Sequence, residues 1–342
     1  MKLLISISSL FRWLWMLGIL IAPPLVQAQW HATAGAQTGD KGLQALAFLP
    51  NEIWIHAGES VIWTFPADEP HTVTFLKPGQ VRPTYTAGCP DTTADGSAFD
   101  GSACVNSGRI STAATTYTVA FPSPGNYKLV CLVHANMTAM VHVLSPSEPV
   151  PHDQDFYNRQ ATIEQRDLLS DRDGGLGRRI AEDHDSGAAN AHVHNHEIVT
   201  GTGELVSTTG GLQSVSLMRF MQPSVTIHAG ETVEWASSDV SGHTITFGQE
   251  PANVTPETPP SASPNVLLFS DDDGARHAVI TSTADSVHSG RIAPAPQERT
   301  GLAQAPPGVT RFRVTFTSPG TYPYICAFHD ELGMTGEVIV LP

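Results

Sequence analysis

Apolar and polar residues alternate in short runs along most of this chain. Around residues 118–121, Val119 and Phe121 share one face while Thr118 and Ala120 share the other, and Val225 and Ile227 alternate in the same way. A period of two predicts strands buried on one side. Gly58 and Gly230 mark turns, and Ser-Pro-Gly at 123–125 and 318–320 marks hairpin connections. Short strands with turns roughly every eight to twelve residues predict an all-β, antiparallel sandwich. The pattern changes only between 147 and 190. There Phe156, Tyr157, Ala161, Ile163 and Leu168 predict one weakly amphipathic helix ended by Asp173-Gly174-Gly175, within an otherwise polar linker.

The pattern also occurs twice. HAGESVIW at 56–63 answers HAGETVEW at 228–235, and each Trp is followed eight residues later by a histidine, His71 or His243. SGRI recurs at 107–110 and 289–292, and SPGNYKLVCLVH answers SPGTYPYICAFH. The second copy has 23 more residues between its histidine and its cysteine. Duplication at this scale predicts tandem domains with variable loops, at 29–146 and 191–342.

The first 28 residues read as a secretory leader: Lys2 and Arg12 supply charge, Leu14 to Ala22 is apolar, and Val26-Gln27-Ala28 ends on small residues. An uncleaved anchor is the alternative. Either reading places the body of the chain in the periplasm or outside the cell, with no later membrane span. The formal charge of −15 becomes −17 when Lys2 and Arg12 leave with the leader. Such a surface disfavours nucleic acid and anionic lipid, and suits a basic partner protein or plain solubility.

The 4 cysteines fall into two kinds. Cys89 and Cys104 flank a Gly/Ser/Asp-rich loop, which predicts a disulfide in an oxidising compartment. Cys131 and Cys326 each end an apolar run and are each followed three residues later by a histidine. Two disulfides among the four is the competing arrangement.

The chemistry lies in two matched sets. The first is His71, Cys131, His134 and Met137; the second is His243, Cys326, His329 and Met334. A thiolate, two imidazoles and a weak thioether describe the trigonal, axially elongated type 1 copper site. Structural zinc sites usually hold two or more cysteines per metal, whereas each set here has one. Met140 competes with Met137, but aligning Thr138–Val141 with Thr335–Val338 sets Met137 opposite Met334. His56 and His228 occupy one repeat position and read as structural or exposed. His184, His192, His194 and His196 cluster before the second domain; the last three share a strand parity and offer a further metal site, with a solvated polar stretch as the competing reading.

On these residues both copies resemble the cupredoxins, the plastocyanin, amicyanin and pseudoazurin group. C-x-x-H-x-x-x-x-M in the second copy is similar to the plastocyanin ending, and C-x-x-H-x-x-M in the first to the shorter amicyanin loop. The resemblance implies two tandem Greek-key sandwiches joined by a partly helical linker, each with copper under an end loop. It implies that His134 and His329 lie nearest the surface as electron ports. Many relatives place Asn after the remote histidine, where its amide supports the thiolate; Thr72 and Thr244 stand here and retain that amide.

Two function classes follow. A carrier would exchange electrons with redox partner proteins, basic cytochromes among them, and would not be an enzyme. A multicopper oxidase or nitrite reductase needs a second, open copper centre, which in such enzymes a histidine directly before the cysteine links to the first. Val130 and Ile325 occupy that position, which favours the carrier. Copper storage or delivery, and redox sensing, form a third class.

Overall fold

The computed structural model describes residues 28–83, 89, 92–170, 196–293 and 309–342. The leader up to residue 27, the Asp173-Gly174-Gly175 stop and His184, His192 and His194 lie outside the described residues. Among the described residues, no helix is long and apolar enough to cross a membrane.

The first domain begins with β1 (Gln29–Gln37), β2 (Leu43–Leu49), β3 (Glu52–His56), β4 (Ser60–Phe65) and β5 (Thr74–Phe75). It continues through β6 (Ser97–Ala98), β7 (Val105–Asn106), β8 (Thr115–Ala120), β9 (Gly125–Val130) and β10 (Thr138–Leu144). Helix α1 (Gln154–Leu169) follows and ends at Ser170, whose amide donates to the Arg166 carbonyl, before the expected Asp173-Gly174-Gly175 stop. The second domain opens with β11 (Glu197–Ser207), β12 (Leu212–Phe220), β13 (Ser224–His228), β14 (Thr232–Ser238) and β15 (Thr246–Phe247). Its insertion supplies β16 (Ser261–Ala262), β17 (Leu267–Ser270) and β18 (Arg276–Ile280). Strands β19 (Val287–His288), β20 (Arg311–Phe316), β21 (Gly320–Ile325) and β22 (Thr335–Leu341) complete it.

Each domain is a sandwich with an aromatic centre. Period-two burial is clear in β8, where Tyr117 and Val119 point inward, and in β13, where Val225 and Ile227 do. Trp63 packs on Phe75 with ring centroids 5.8 Å apart, and its repeat counterpart Trp235 packs on Phe247 at 5.7 Å. Each such ring contributes roughly 1.5–3 kcal/mol through burial. The turns expected at Gly58 and Gly230 have φ of 94° and 96°, which glycine adopts without the clash of a Cβ.

The sandwiches are not independent beads. Antiparallel pairing of β12 with β2, from Ser214 opposite Leu46 to Leu217 opposite Leu43, fuses one sheet of each domain. The resulting 11-stranded sheet runs β17-β18-β20-β14-β11-β12-β2-β1-β4-β8-β6 among the described residues. The opposing layers remain separate, as β3-β10-β9-β5-β7 and β13-β22-β21-β15-β19-β16.

Helix α1 clamps this joint. Asp153 caps it by accepting from the Phe156 amide at 2.8 Å. Tyr157, Ala161, Glu164 and Leu168 form its inward row; Glu164 accepts from the Asn51 amide at 2.9 Å and from Gln213 at 3.2 Å, one residue in each domain. Ile163, expected on that face, is instead 50% exposed. At 3.6 residues per turn it falls outside the row to which Glu164 belongs.

Across the joint, each domain's first hairpin turn reaches the other. Thr208 bonds Asn51, and the Leu212 amide donates to Thr138 Oγ1 at 2.9 Å, beside the end of the Cys131 loop. Arg219 donates to the Asp40 carbonyl at 2.8 Å and to the Leu332 carbonyl at 2.7 Å, within the Cys326 loop.

Candidate metal centres

Cys131 follows β9 and Cys326 follows β21, at corresponding ends of the two sandwiches. The loops close in the same way. The Cys131 amide donates to the Met137 carbonyl and the Cys326 amide to the Met334 carbonyl, both at 3.0 Å. The second loop takes up its two additional residues in a 3-10 turn at Asp330–Leu332, ended by Gly333 at φ 93°.

The remote histidines are held by the other repeated motif. His71 and Ile110 exchange both backbone bonds, at 3.0 and 2.9 Å, and His243 and Ile292 do so at 2.8 and 2.7 Å. Ile110 and Ile292 end the two SGRI segments. Their serines accept the next odd amide of each histidine strand, Val73 to Ser107 at 2.9 Å and Ile245 to Ser289 at 2.8 Å. A bulge in the first strand of each domain makes room for the ring. A Cβ on Gly35 would stand 2.2 Å from His71 Nε2, and one on Gly201 would stand 2.7 Å from His243 Nε2.

The ligand atoms of His71, Cys131 and His134 lie within 4.8 Å of one another, as do those of His243, Cys326 and His329, and all six residues are buried. In each pair of rings the Nδ1 atoms face each other, 3.2 Å apart in the first domain and 3.1 Å in the second. Met137 and Met334 are fully buried in the cores that contain these cysteines. Met140 stands on the other face of β10, half-buried, while Ala139 and Val141 point inward.

Both thiols are free, while Cys89 and Cys104 form a disulfide with a Cα–Cα separation of 5.7 Å. The Thr72 amide points to Cys131 Sγ at 3.4 Å and the Thr244 amide to Cys326 Sγ at 3.3 Å. The threonine hydroxyls accept from the Leu132 and Ala327 amides at 2.8 and 2.7 Å, so the side chain at this position ties down the loop. Arg82, from the long loop before Cys89, donates to the His134 and Ala135 carbonyls at 2.8 and 2.6 Å. That segment therefore braces the first centre's loop.

Burial pushes both thiols up, but it is outweighed. Hydrogen bonds and charge from His134 and His71 hold Cys131 well below the usual thiol range. Charge from His329 and hydrogen bonds with His243 and His329 do the same for Cys326. Burial disfavours the charged form of His134, yet Cys131 and Glu69 raise it to about 9; His243 is raised to about 9 against burial by Asp239 and Cys326. Each centre is thus arranged to stabilise a thiolate against positive charge. This donor set of free thiolate, two facing imidazoles and a buried thioether fits copper.

His134 and His329, expected nearest the surface, are only 9% and 4% exposed. The sheet joint brings the two sandwich ends together, and each domain covers the other's loop. Two acidic residues complete the site. Glu69 Oε1 lies 3.0 Å from His134 Nε2, while its Oε2 lies 3.6 Å from His329 Nε2 in the other domain. Burial raises the Glu69 carboxyl, but the positive charge of His329, His134 and His71 prevails and holds it at about 2. Asp239 Oδ2 lies 2.8 Å from His243 Nε2 and is bonded by Ser216 Oγ. In the register of the repeat, Asp239 corresponds to Ala67 and Glu69 to Ser241. The one signal available was an acidic residue two or four positions before each remote histidine. His56 bonds the Glu148 carbonyl and His228 the Pro342 carbonyl, both away from the centres; His196 lies 3.7 Å from Glu231.

A family model for copper binding proteins of the plastocyanin/azurin family matches residues 34–144 and 206–341. Among solved structures, oxidised plastocyanin from Dryopteris crassirhizoma aligns at 18% identity, over 42% of this chain and 99% of its own, with a TM-score of 0.20. A purple cupredoxin from Nitrosopumilus maritimus aligns at 21%, over 43% and 99%, with a TM-score of 0.20. Auracyanin A from Chloroflexus aurantiacus aligns at 18%, over 34% and 99%, with a TM-score of 0.25.

Proposed function

Because the chain belongs to the plastocyanin/azurin family of copper-binding proteins, we propose that it is an extracytoplasmic electron-transfer protein with one type 1 copper in each domain, 29–146 and 191–342. His71, Cys131, His134 and Met137 hold the first ion, and His243, Cys326, His329 and Met334 the second. Copper supplies a one-electron couple, Cu(I)/Cu(II), and the protein's work is to hold nearly the same ligand geometry for both states.

The observation that carries this reading is the twofold convergence of one free cysteine and two imidazoles within 4.8 Å, in closed and buried pockets. The Thr72 and Thr244 amides point to the thiol sulfurs, the SGRI segments fix the remote histidines, and Met137 and Met334 would supply the fourth, thioether donor. With four protein groups per ion, no position remains for a small substrate to bind and be polarised. Val130 and Ile325 stand where a linking histidine of an oxidase would be needed. The acidic surface suits a basic protein partner such as a cytochrome.

The test is to supply the copper-loaded protein with reductant and either oxygen or nitrite, and separately with a basic redox protein. Fast, salt-sensitive electron exchange with the protein partner alone is expected. Steady turnover of oxygen or nitrite would overturn the carrier reading.

A further inference from the structure

Glu69 sits where the two domains bring their metal ligands together. It is 3% exposed, and its two oxygens face rings from different centres: Oε1 faces His134 Nε2 at 3.0 Å, and Oε2 faces His329 Nε2 at 3.6 Å. The Nδ1 of each ring faces that ring's own cysteine, at 3.8 Å from Cys131 and 3.4 Å from Cys326. One carboxylate therefore spans the outer nitrogens of the two near ligands. Among the described residues Oε2 has no hydrogen-bond partner, so its lone pairs are left to His329.

A structural clamp alone does not account for this choice. A buried charge carries a large desolvation cost, and apolar packing of similar volume often joins surfaces at least as well. The joint already has the β12–β2 ladder, helix α1 and Arg219 to hold it. The same burial also removes both near histidines from solvent, so neither presents a free edge to a partner on this side.

We propose that Glu69 couples the two centres into one electron-exchanging pair, through the contiguous path His134–Glu69–His329, and that its charge acts on both potentials. This rests on the copper reading above. In one exchange a single electron leaves one centre and arrives at the other, so one is oxidised as the other is reduced. No bond forms or breaks, and both rings keep their Nε2 protons toward the carboxylate. The first electron comes from an external one-electron reductant. Asp239 faces the second centre's His243 alone, so its charge acts on that centre and not on the exchange path. Glu69 is thus a positioning residue that acts through ligands of both domains.

The test uses the full, copper-loaded chain as wild type, Glu69→Gln and Glu69→Ala. Gln keeps the shape and removes the charge, so a folded comparison remains if the Ala variant is unstable. Copper content and spectra are recorded first, then both midpoint potentials, then the rate at which the centres equilibrate after a pulse of a radical reductant. Both variants are expected to retain two coppers, to raise both potentials, and to equilibrate more slowly by about tenfold or more. In a Cys131→Ser chain, which keeps only the second centre, Glu69→Gln should still raise that centre's potential although Glu69 belongs to the other domain. Two intact coppers with unchanged potentials and equilibration within about twofold of wild type would overturn the bridge and leave the copper reading standing. A wild-type chain without two type 1 centres would instead overturn the reading on which the bridge rests.

Discussion

Replacing Asp239 by Asn isolates one charge at one centre. Asp239 Oδ2 lies 2.8 Å from His243 Nε2, and both side chains are fully buried. Asn has the same shape and its carbonyl still accepts from the ring, so the change is chiefly electrostatic. A unit charge acting over roughly 6 Å, across an imidazole ring, contributes about 3 kcal/mol at an effective dielectric of ~20. For one electron, at ~59 mV per tenfold in equilibrium constant, that is on the order of 100 mV. A negative charge favours the more positive metal state, so its loss should raise the second centre's potential. The assay is a redox titration of the visible band in a Cys131→Ser background, where only the second centre reports. The first centre, measured in a Cys326→Ser background, should move much less, because Asp239 faces the second centre's His243 and no ligand of the first. A downward shift, or equal shifts at both centres, would refute the reasoning.

Two further expectations concern stability. His288 is 1% exposed, and burial together with the nearby Arg276 charge lowers it to about 4. Between pH ~6.5 and ~4 the unfolded chain binds a proton there that the folded chain does not, so stability falls as pH falls, by up to about 3 kcal/mol. Urea titrations across that range should show a shallower loss in His288→Gln; an identical slope would contradict the assignment. Cys89→Ser opens a loop of 15 residues, which should cost roughly 3 kcal/mol in the chain-entropy view. Peptide mapping without reductant should recover Cys89 and Cys104 as a linked pair, and a link from either to Cys131 or Cys326 would contradict both the disulfide and a copper centre.

The two His-Cys-His clusters were legible because the chain repeats them: His71 and His243, and Cys131 and Cys326, keep their spacing to the same neighbouring blocks. The sandwich was legible from period-two burial in segments such as 118–121. Glu69 and Asp239 escaped the comparison of repeats because they are where the copies differ. The placement of Glu69 between His134 and His329 also depends on how the domains meet, and that joint leaves a misleading pattern. Gln44, Ser214 and Ser216 are almost wholly buried in the shared sheet, yet as polar residues they read as a solvated strand face. Once β12 pairs with β2, the sandwich ends converge and the supposed surface ports at His134 and His329 become internal. Ile163 was misplaced for a related reason. Hydrophobicity alone favours it over Glu164, but the inward row of α1 needs a carboxylate to satisfy the Asn51 amide and Gln213 side chain.

The most direct measurement is copper content together with visible and paramagnetic-resonance spectra for the wild type, Cys131→Ser, Cys326→Ser and the double variant. Two ions with type 1 signals are expected in the wild type, one in each single variant and none in the double variant. A double variant that keeps its blue band, or a wild type that never binds more than one ion, would contradict the two-copper reading.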